Sequence, residues 1–334
     1  MSTKIKPSQG APYARIMGVG GYRPIRVVPN EVILETIDSS DEWIRSRSGI
    51  ATRHWASPEE TVSAMSVEAA GKAIADAGIT PEQIGGVIVS TVSHFKQTPA
   101  IATEIADKIG AVKPAAFDIS AGCAGFGYGL TLAKGMVVEG SAQYVLVIGV
   151  ERLSDLTDLE DRATAFLFGD GAGAVVVGPS KEPQIGPTVW GSEGDKSDTI
   201  KQTVPWDDYR NGTVEKFPAI TQEGQAVFRW AVFEMAKVAQ QALDAAGITA
   251  DDLDVFIPHQ ANMRIIDSMV KTLKLPEHVT VARDVETTGN TSAASIPLAM
   301  ERLLATGQAK SGDTALVIGF GAGLVYAATV VTLP

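Results

Sequence analysis

A single cysteine, Cys123, occurs in the 334 residues of this chain. That excludes an internal disulfide framework and any cysteine-based zinc site. The four histidines, His54, His94, His259 and His278, show no HxxxH or HExxH spacing, so no metal is expected. Aromatic residues are scarce, at 6%. Positive charge is in deficit: 28 Lys and Arg stand against 39 Asp and Glu, a formal net charge of −11. Such a chain suits general nucleic-acid binding poorly, because phosphate contacts need basic residues. No apolar run approaches the ~18 residues of a membrane span. The longest, such as YVLVIGV at 144–150, have strand length. The opening MSTKIKPSQG has lysines with no apolar segment behind them, so it is not read as a secretory signal. The expectation is a soluble cytoplasmic protein with no nucleic-acid or membrane partner.

What the chain has is a core and a repeat. At 45% hydrophobic and 20% charged residues it can bury a full interior. The segment AIADAGITPEQIGGVIVS begins at Ala73, and ALDAAGITADDLDVFIPH begins at Ala242, an offset of 169. YVLVIGV at 144–150 and TALVIGF at 314–320 share LVIG at an offset of 170. Two matches at nearly one offset indicate two duplicated halves, 1–180 and 181–334, with 181–220 an irregular connecting insertion that shapes a pocket.

Periodicity predicts helices near 59–77, 99–110 and 124–139 and strands near 86–92, 115–120 and 144–150 in the first half. The second half repeats the pattern, with helices near 221–246, 260–274 and 293–306 and strands near 253–258, 278–282, 314–320 and 324–332. Alternating strands and helices imply an α/β protein with mostly parallel, helix-covered sheets.

Cys123 falls at the corner between the strand at 115–120 and the helix at 124–139, inside SAGCAGFGYG. A strand–turn–helix corner lifts one side chain above the sheet. It also puts the sulfur at a helix N-terminus, where the macrodipole favours thiolate. A lone cysteine is also commonly just a small buried hydrophobe. His259 directly follows the strand at 253–258, and Asn290 lies in TTGNTSAAS. By the 169 offset, Cys123 maps onto Ser292, so the Asn290 loop is the counterpart of the Cys123 corner. Taken singly, His259 reads as a capping or core histidine and Asn290 as a turn residue. All three lie after strands, at the carboxyl edges where open α/β sheets place ligands, and the matched corners favour chemistry. GFGAGL at 319–324 and FGDGAGAVVVG at 168–178 lead into strand patterns, not helices, so a dinucleotide fingerprint does not fit. GFGAG reads either as a tight hairpin turn or as backbone amides brought to a reacting centre.

With SSDEWIRSRSGI (39–50), DISAGCAGFGYGL (118–130), FGDGAGAVV (168–176), PHQANMRII (258–266), GNTSAAS (289–295) and GFGAGL (319–324) in one order, the chain resembles the β-ketoacyl-[acyl-carrier-protein] synthase III family, its actinobacterial members most. The resemblance implies a thiolase-like five-layered αβαβα fold built from two duplicated halves. It implies a condensing enzyme that starts type II fatty acid synthesis. An acyl-CoA primer would acylate Cys123, and malonyl-acyl-carrier protein would then lose CO₂ and condense with it. His259 and Asn290 would complete the catalytic set, and the amides of Cys123 and Ala322 would form an oxyanion hole. No cofactor is implied beyond the CoA thioester and the carrier's phosphopantetheine.

By the same carry-over, Trp43, Arg47, Arg162 and Asn262 bind CoA or pantetheine, and Thr98, Phe168 and Phe228 line the acyl pocket. Thr98 would reach across a homodimer interface, and its small size would leave room for branched primers. Arg264 would dock the carrier protein, extended by Arg229, Lys237 and Lys271. A starter-unit ketosynthase of a polyketide pathway and a non-catalytic acyl- or carrier-binding homologue are the alternatives. A degradative thiolase would need a second cysteine, and a papain-like protease does not fit the duplicated α/β pattern.

Overall fold

The computed structural model describes residues 5–334. The first half runs β1 (Tyr13–Tyr22), β2 (Arg26–Pro29), α1 (Asn30–Ile33), α2 (Asp41–Ser48), β3 (Thr52–Trp55), α3 (Val62–Asp76), β4 (Ile84–Ser90), α4 (Ile101–Lys108), β5 (Ala115–Ile119), α5 (Gly125–Glu139), β6 (Tyr144–Arg152) and β7 (Asp170–Ser180). The chain continues through β8 (Val189–Ser192), β9 (Ile200–Gln202), α6 (Trp206–Arg210), β10 (Ile220–Gln222), α7 (Gly224–Ala246), β11 (Val255–Pro258) and α8 (Met263–Leu273). It ends with β12 (Thr280–Val281), α9 (Val285–Thr288), α10 (Ser295–Ala305), β13 (Thr314–Gly321) and β14 (Val325–Thr332).

Two five-stranded sheets carry the duplication. Their orders are β5-β4-β6-β7-β1 and β12-β11-β13-β14-β8. In each, the first three strands pair in parallel and the last three antiparallel. The sheets are therefore evenly mixed, where the sequence pattern suggested mostly parallel ones. Between them lie α5 and α10. Phe126, Leu130, Ala133 and Val137 of α5 recur at helical spacing, as do Ile296, Ala299, Met300 and Leu303 of α10, and all are buried in one core with side chains of both sheets. On the far side of the first sheet, α3 and α4 bury Met65, Ala69, Ala73, Ile101 and Ile105. On the far side of the second, α7 and α8 bury Met235, Ala239, Leu243, Ile265 and Met269. The result is five layers, αβαβα. The stretch 181–220 is less irregular than its composition suggested. It supplies edge strand β8, the small β9–β10 sheet and α6.

The halves meet at the turns that precede α5 and α10. The 3₁₀ turn Gly122–Ala124 leads into α5 and Ser292–Ala294 into α10. Gly122 and Ser292 share the same φ of +47°. The local offset is thus 170, and the counterpart of Cys123 is Ala293, not Ser292; a one-residue slip separates this corner from the helix–turn repeat. Each turn sits on a strand of the other half. A β-carbon on Gly149, in β6, would lie 2.1 Å from the Ala293 carbonyl oxygen; one on Gly319, in β13, would lie 2.9 Å from that of Cys123. These are the glycines of the two LVIG motifs. β1 is absent from the sequence-based reading for a related reason. A β-carbon on its Gly18 would come within 2.3 Å of the α3 backbone, so glycine replaces the apolar residue that alternation looks for.

Gly149→Ala is expected to cost near or above the upper end of the ~1–3 kcal/mol typical of overpacked cores. Gly71→Ala, on α3 with nothing within 4 Å of the new methyl, should be neutral or stabilising by up to about 1 kcal/mol. Denaturant midpoints of the two variants check the contrast.

Candidate active site

Cys123 stands in the turn between β5 and α5, with part of its surface open. Backbone from the β13–β14 turn passes close by: a β-carbon on Gly321 would lie 2.8 Å from Cys123 Cβ and 2.9 Å from Sγ. Ala322, the next residue, has its amide nitrogen 3.4 Å from where a β-carbon on Gly122 would sit. Burial pushes the Cys123 thiol up to about 12, while the Ser292 hydroxyl and the residue's own N–H pull it down. The resting group is a thiol. The helix N-terminus does not by itself yield the thiolate expected from sequence, because enclosure penalises the anion more.

His259 leaves the end of β11, its backbone N–H bonded to the Ile318 carbonyl at 2.7 Å. Its Nδ1 lies 2.7 Å from Ser295 Oγ, and that oxygen accepts the Gln260 N–H at 3.3 Å. The serine oxygen can either donate its hydrogen to Nδ1 or accept from it; donation puts the ring proton on Nε2, the tautomer that offers the cavity a donor. Phe320 meets the ring edge-on, centroids 5.4 Å apart. Burial drives the His259 pKa down to about 3, so the imidazole is neutral. Asn290 accepts the Ser292 N–H on Oδ1 at 2.9 Å, which leaves its NH₂ as the free end. Its backbone is tied to the first half: Asn290 N–H donates to Leu167 O at 2.9 Å, and Gly169 N–H to Asn290 O at 3.0 Å.

Cys123, His259, Asn290, Ser292 and Ala322 line one cavity of about 200 Å³, with Phe168, Trp230 and Phe320 on its apolar walls. It shares Gln222, Val227, Ala261 and Asn290 with a wider cavity of about 700 Å³. Arg47, Arg229 and Arg264 line that outer cavity, and no carboxylate does. Trp43 is there too, half-buried, with the Arg162 guanidinium 4.9 Å and that of Arg47 5.8 Å from its ring centre. Two neutral donors and backbone amides around a sulfur can stabilise negative charge developing on a thioester oxygen. The arginine-rimmed approach suits an anionic, phosphate-bearing ligand arm.

Comparison with known proteins agrees. Residues 117–194 match the family model for 3-oxoacyl-[acyl-carrier-protein] synthase III, and 243–333 match the model for its C-terminal part. A β-ketoacyl-[acyl-carrier-protein] synthase III of Streptomyces glaucescens is 88% identical, covering 99% of this chain and 100% of the relative. The chain belongs to the β-ketoacyl-[acyl-carrier-protein] synthase III family. A synthase of Mycobacterium marinum is 54% identical over 99% of each chain. Among solved structures, the priming β-ketosynthase of the R1128 polyketide pathway superposes with a TM-score of 0.97 at 46% identity, covering 100% of this chain and 99% of that one. The synthase III of Aquifex aeolicus gives 0.88 at 37%, covering 96% and 99%.

Within this synthase, the fold does not gather every residue singled out from sequence. Phe168 lines the inner cavity, whereas Phe228 lines the outer one, beneath the Arg264 guanidinium at 5.1 Å. Thr98 lies on an exposed loop and lines neither cavity of its own chain. Asn262 borders the outer cavity, but its side chain caps α8 through the Arg264 N–H at 2.8 Å and donates to the Arg47 carbonyl at 3.0 Å. It braces α8 against α2. Lys237 is paired with Glu234 at 2.9 Å and adds little free charge. Arg229, Arg264 and Lys271 form no ion pair among the described residues. Sequence reasoning missed Ser295 and Ser292. Both sit inside the quoted GNTSAAS motif, but a serine announces no chemistry until its partner is seen.

The depressed His259 value has a clear sign. An unfolded chain takes up a proton below about 6.5 and the native chain only near 3, so this group lowers stability as pH falls through that window, by up to about 1.4 kcal/mol per unit. Imidazole NMR should show His259 neutral, with the proton on Nε2, from pH 8 to pH 5. A midpoint near 6.5 would contradict the burial argument.

Proposed function

We propose that this protein catalyses the initiating condensation of type II fatty acid synthesis. An acyl-CoA primer enters through the arginine-rimmed cavity. The Cys123 sulfur attacks its thioester carbonyl, and CoA leaves. Malonyl-acyl-carrier protein then brings its phosphopantetheine arm down the same path. Donation from His259 Nε2–H and the Asn290 amide to the malonyl thioester oxygen stabilises the enolate left as CO₂ departs. Its carbon attacks the acyl-cysteine, whose oxygen faces the Cys123 and Ala322 amides. The products are 3-oxoacyl-acyl-carrier protein, CO₂ and free CoA. The observation that carries this reading is the joining of Cys123, His259, Asn290 and Ala322 around one cavity drawn from both halves. Neutral donors suit an enolate, because burial that keeps His259 uncharged also strengthens its hydrogen bonds.

On this reading the reaction needs only the CoA thioester and the carrier's phosphopantetheine. Among the described residues no cluster of His, Cys, Asp or Glu could hold a metal ion, and no helix is long and apolar enough to cross a membrane. The single free cysteine fits the reducing cytoplasm. We place Thr98 at a homodimer interface, where the exposed loop would meet a second copy and its small side chain would leave room for branched primers. The likeness to a priming polyketide ketosynthase supports a second reading, in which the same chemistry loads a polyketide starter.

Intact mass after mixing with a panel of acyl-CoAs tests the core of the proposal. One acyl adduct is expected, absent from Cys123→Ala, and the ranking of acyl groups separates the two readings. His259→Ala and Asn290→Ala should still acylate while losing condensation by about 10²–10³-fold. An unacylated wild type would refute the assignment of Cys123.

The carrier protein is acidic by family, so docking on a chain of net charge −11 needs local positive charge. Lys271→Glu should raise KM for malonyl-acyl-carrier protein several-fold and leave that for acyl-CoA unchanged. Arg264→Glu should raise both, because Arg264 also lines the outer cavity. Steady-state kinetics with each substrate varied in turn checks both.

A further inference from the structure

One side chain separates the inner cavity from the surface. Trp230, in the second turn of α7, lines that cavity and also a surface cleft of about 420 Å³, which it shares with Lys196, Phe233 and Leu324. Among the described residues, Trp230 alone lines both spaces. Its ring is buried and meets Phe320 edge-on, centroids 6.2 Å apart, and Phe320 in turn meets the His259 ring. The indole is thus a wall of the site with open space behind it.

A buried indole N–H needs an acceptor. Here the acceptor comes from the connecting segment. Trp230 Nε1 donates to Glu193 Oε1 at 2.7 Å, and Glu193 directly follows β8. Glu193 Oε2 is paired with the Lys196 ammonium. Lys196 and Trp230 together hold the Glu193 carboxyl below the usual carboxylate range, so the acceptor is charged. The backbone of Glu193 is fixed as well. Its N–H donates to the Leu324 carbonyl at 2.8 Å, and the Leu324 N–H donates back at 3.2 Å. These two bonds extend the β8–β14 ladder by one pair. Leu324 belongs to the same turn as Gly321 and Ala322, which pass beside Cys123. One residue therefore grips both the turn at the sulfur and the indole that walls the cavity. The condensation chemistry makes no use of its carboxylate.

We propose that Glu193 sets the acyl-chain limit of this synthase by fixing the Trp230 indole between the inner cavity and the cleft. Glu193 touches no reacting atom; it is a positioning residue that acts through Trp230. While the hydrogen bond holds, the acyl group on Cys123 has only the inner cavity of about 200 Å³. Without the acceptor, the indole N–H is left unpaired in a buried place, and the ring turns toward the cleft, where water satisfies it. The two spaces then join. A long straight acyl chain gains room that a short one does not use. The change falls on the ranking of acyl groups, not on the chemistry at Cys123. The proposal rests on the acyl-transfer reading above.

The test compares acylation rates of the full-length enzyme with acetyl-CoA, butyryl-CoA and octanoyl-CoA, each followed by intact mass. Glu193→Leu removes the acceptor and keeps the backbone bonds to Leu324. It should raise the octanoyl-to-acetyl rate ratio about tenfold. Glu193→Gln keeps an oxygen for the indole and should return the wild-type ratio. Trp230→Phe has no N–H to hold, so adding Glu193→Leu to it should move the ratio no further. Should Glu193→Leu fail to fold, Glu193→Ala supplies the same comparison. The indole N–H resonance of Trp230, identified by its loss in Trp230→Phe, should exchange with solvent far faster in Glu193→Leu than in the wild type. A role confined to Leu324 or Lys196 predicts instead an equal fall for all three acyl groups, and an effect that adds to Trp230→Phe. That pattern, an unchanged ratio, or unchanged indole exchange overturns the proposal and leaves acyl transfer standing. No adduct in the wild type refutes the acyl-transfer reading and the chain limit with it.

Discussion

The site depends on one constraint: the turn before α5 and the turn before α10 are each seated on a strand glycine of the other half. The Ala293 carbonyl occupies the place a side chain would take at Gly149, and the Cys123 carbonyl crowds the equivalent place at Gly319. Because both contacts involve backbone, they leave no slack for a side chain to absorb. They set the spacing between the halves. Everything that must converge on the sulfur follows from that spacing: the Gly321–Ala322 backbone, the His259 ring and the Asn290 amide. A single half could not assemble the cavity, since Cys123 comes from one half and His259, Asn290 and Ala322 from the other.

Enclosure does the electrostatic work. The same desolvation keeps His259 neutral, holds Cys123 as a thiol and lifts Glu151 toward neutrality. A charged imidazole beside the malonyl group would attract and hold its carboxylate; a neutral one offers a hydrogen bond without trapping it. Outside the enclosed cavity the balance reverses. The outer approach carries three arginines on a strongly acidic chain, so the field turns positive where a phosphate-bearing arm would pass.

Buried polar groups hold the frame around this cavity. Arg53, fully buried, donates to the carbonyls of Val28 and Phe166 and to Asn30 Oδ1, fastening the antiparallel β2–β3 pair to the segment that carries Phe168. Asp170, the acid of the FGDGAG motif, accepts from the Ala56 N–H and from both the N–H and hydroxyl of Ser154. The motif that resembled a phosphate loop is thus a strand start with a buried carboxylate, and its glycines face strand and helix backbone.

The sequence by itself determined the duplication and the fold class and singled out Cys123, His259 and Asn290, which line one cavity, because repeats, periodicity and a lone cysteine at a strand–helix corner are local signals. The helices α3, α4, α5, α7, α8 and α10 and half of the fourteen described strands were legible within a few residues, whereas the shorter α1, α2, α6 and α9 were not. β1 was not, since its glycines exist to admit α3. Only the tertiary structure decided the direction of strand pairing, the true counterpart of Cys123 and the protonation of the site. It also showed that Asn262, which lines the outer cavity as expected, braces α8 against α2 as well, and that Thr98 lines neither cavity of its own chain. Ser295 and Ser292 had no distinguishing pattern. Their contacts depend on which group sits 3 Å away and on how far water is excluded, and neither is written at the spacing of a motif.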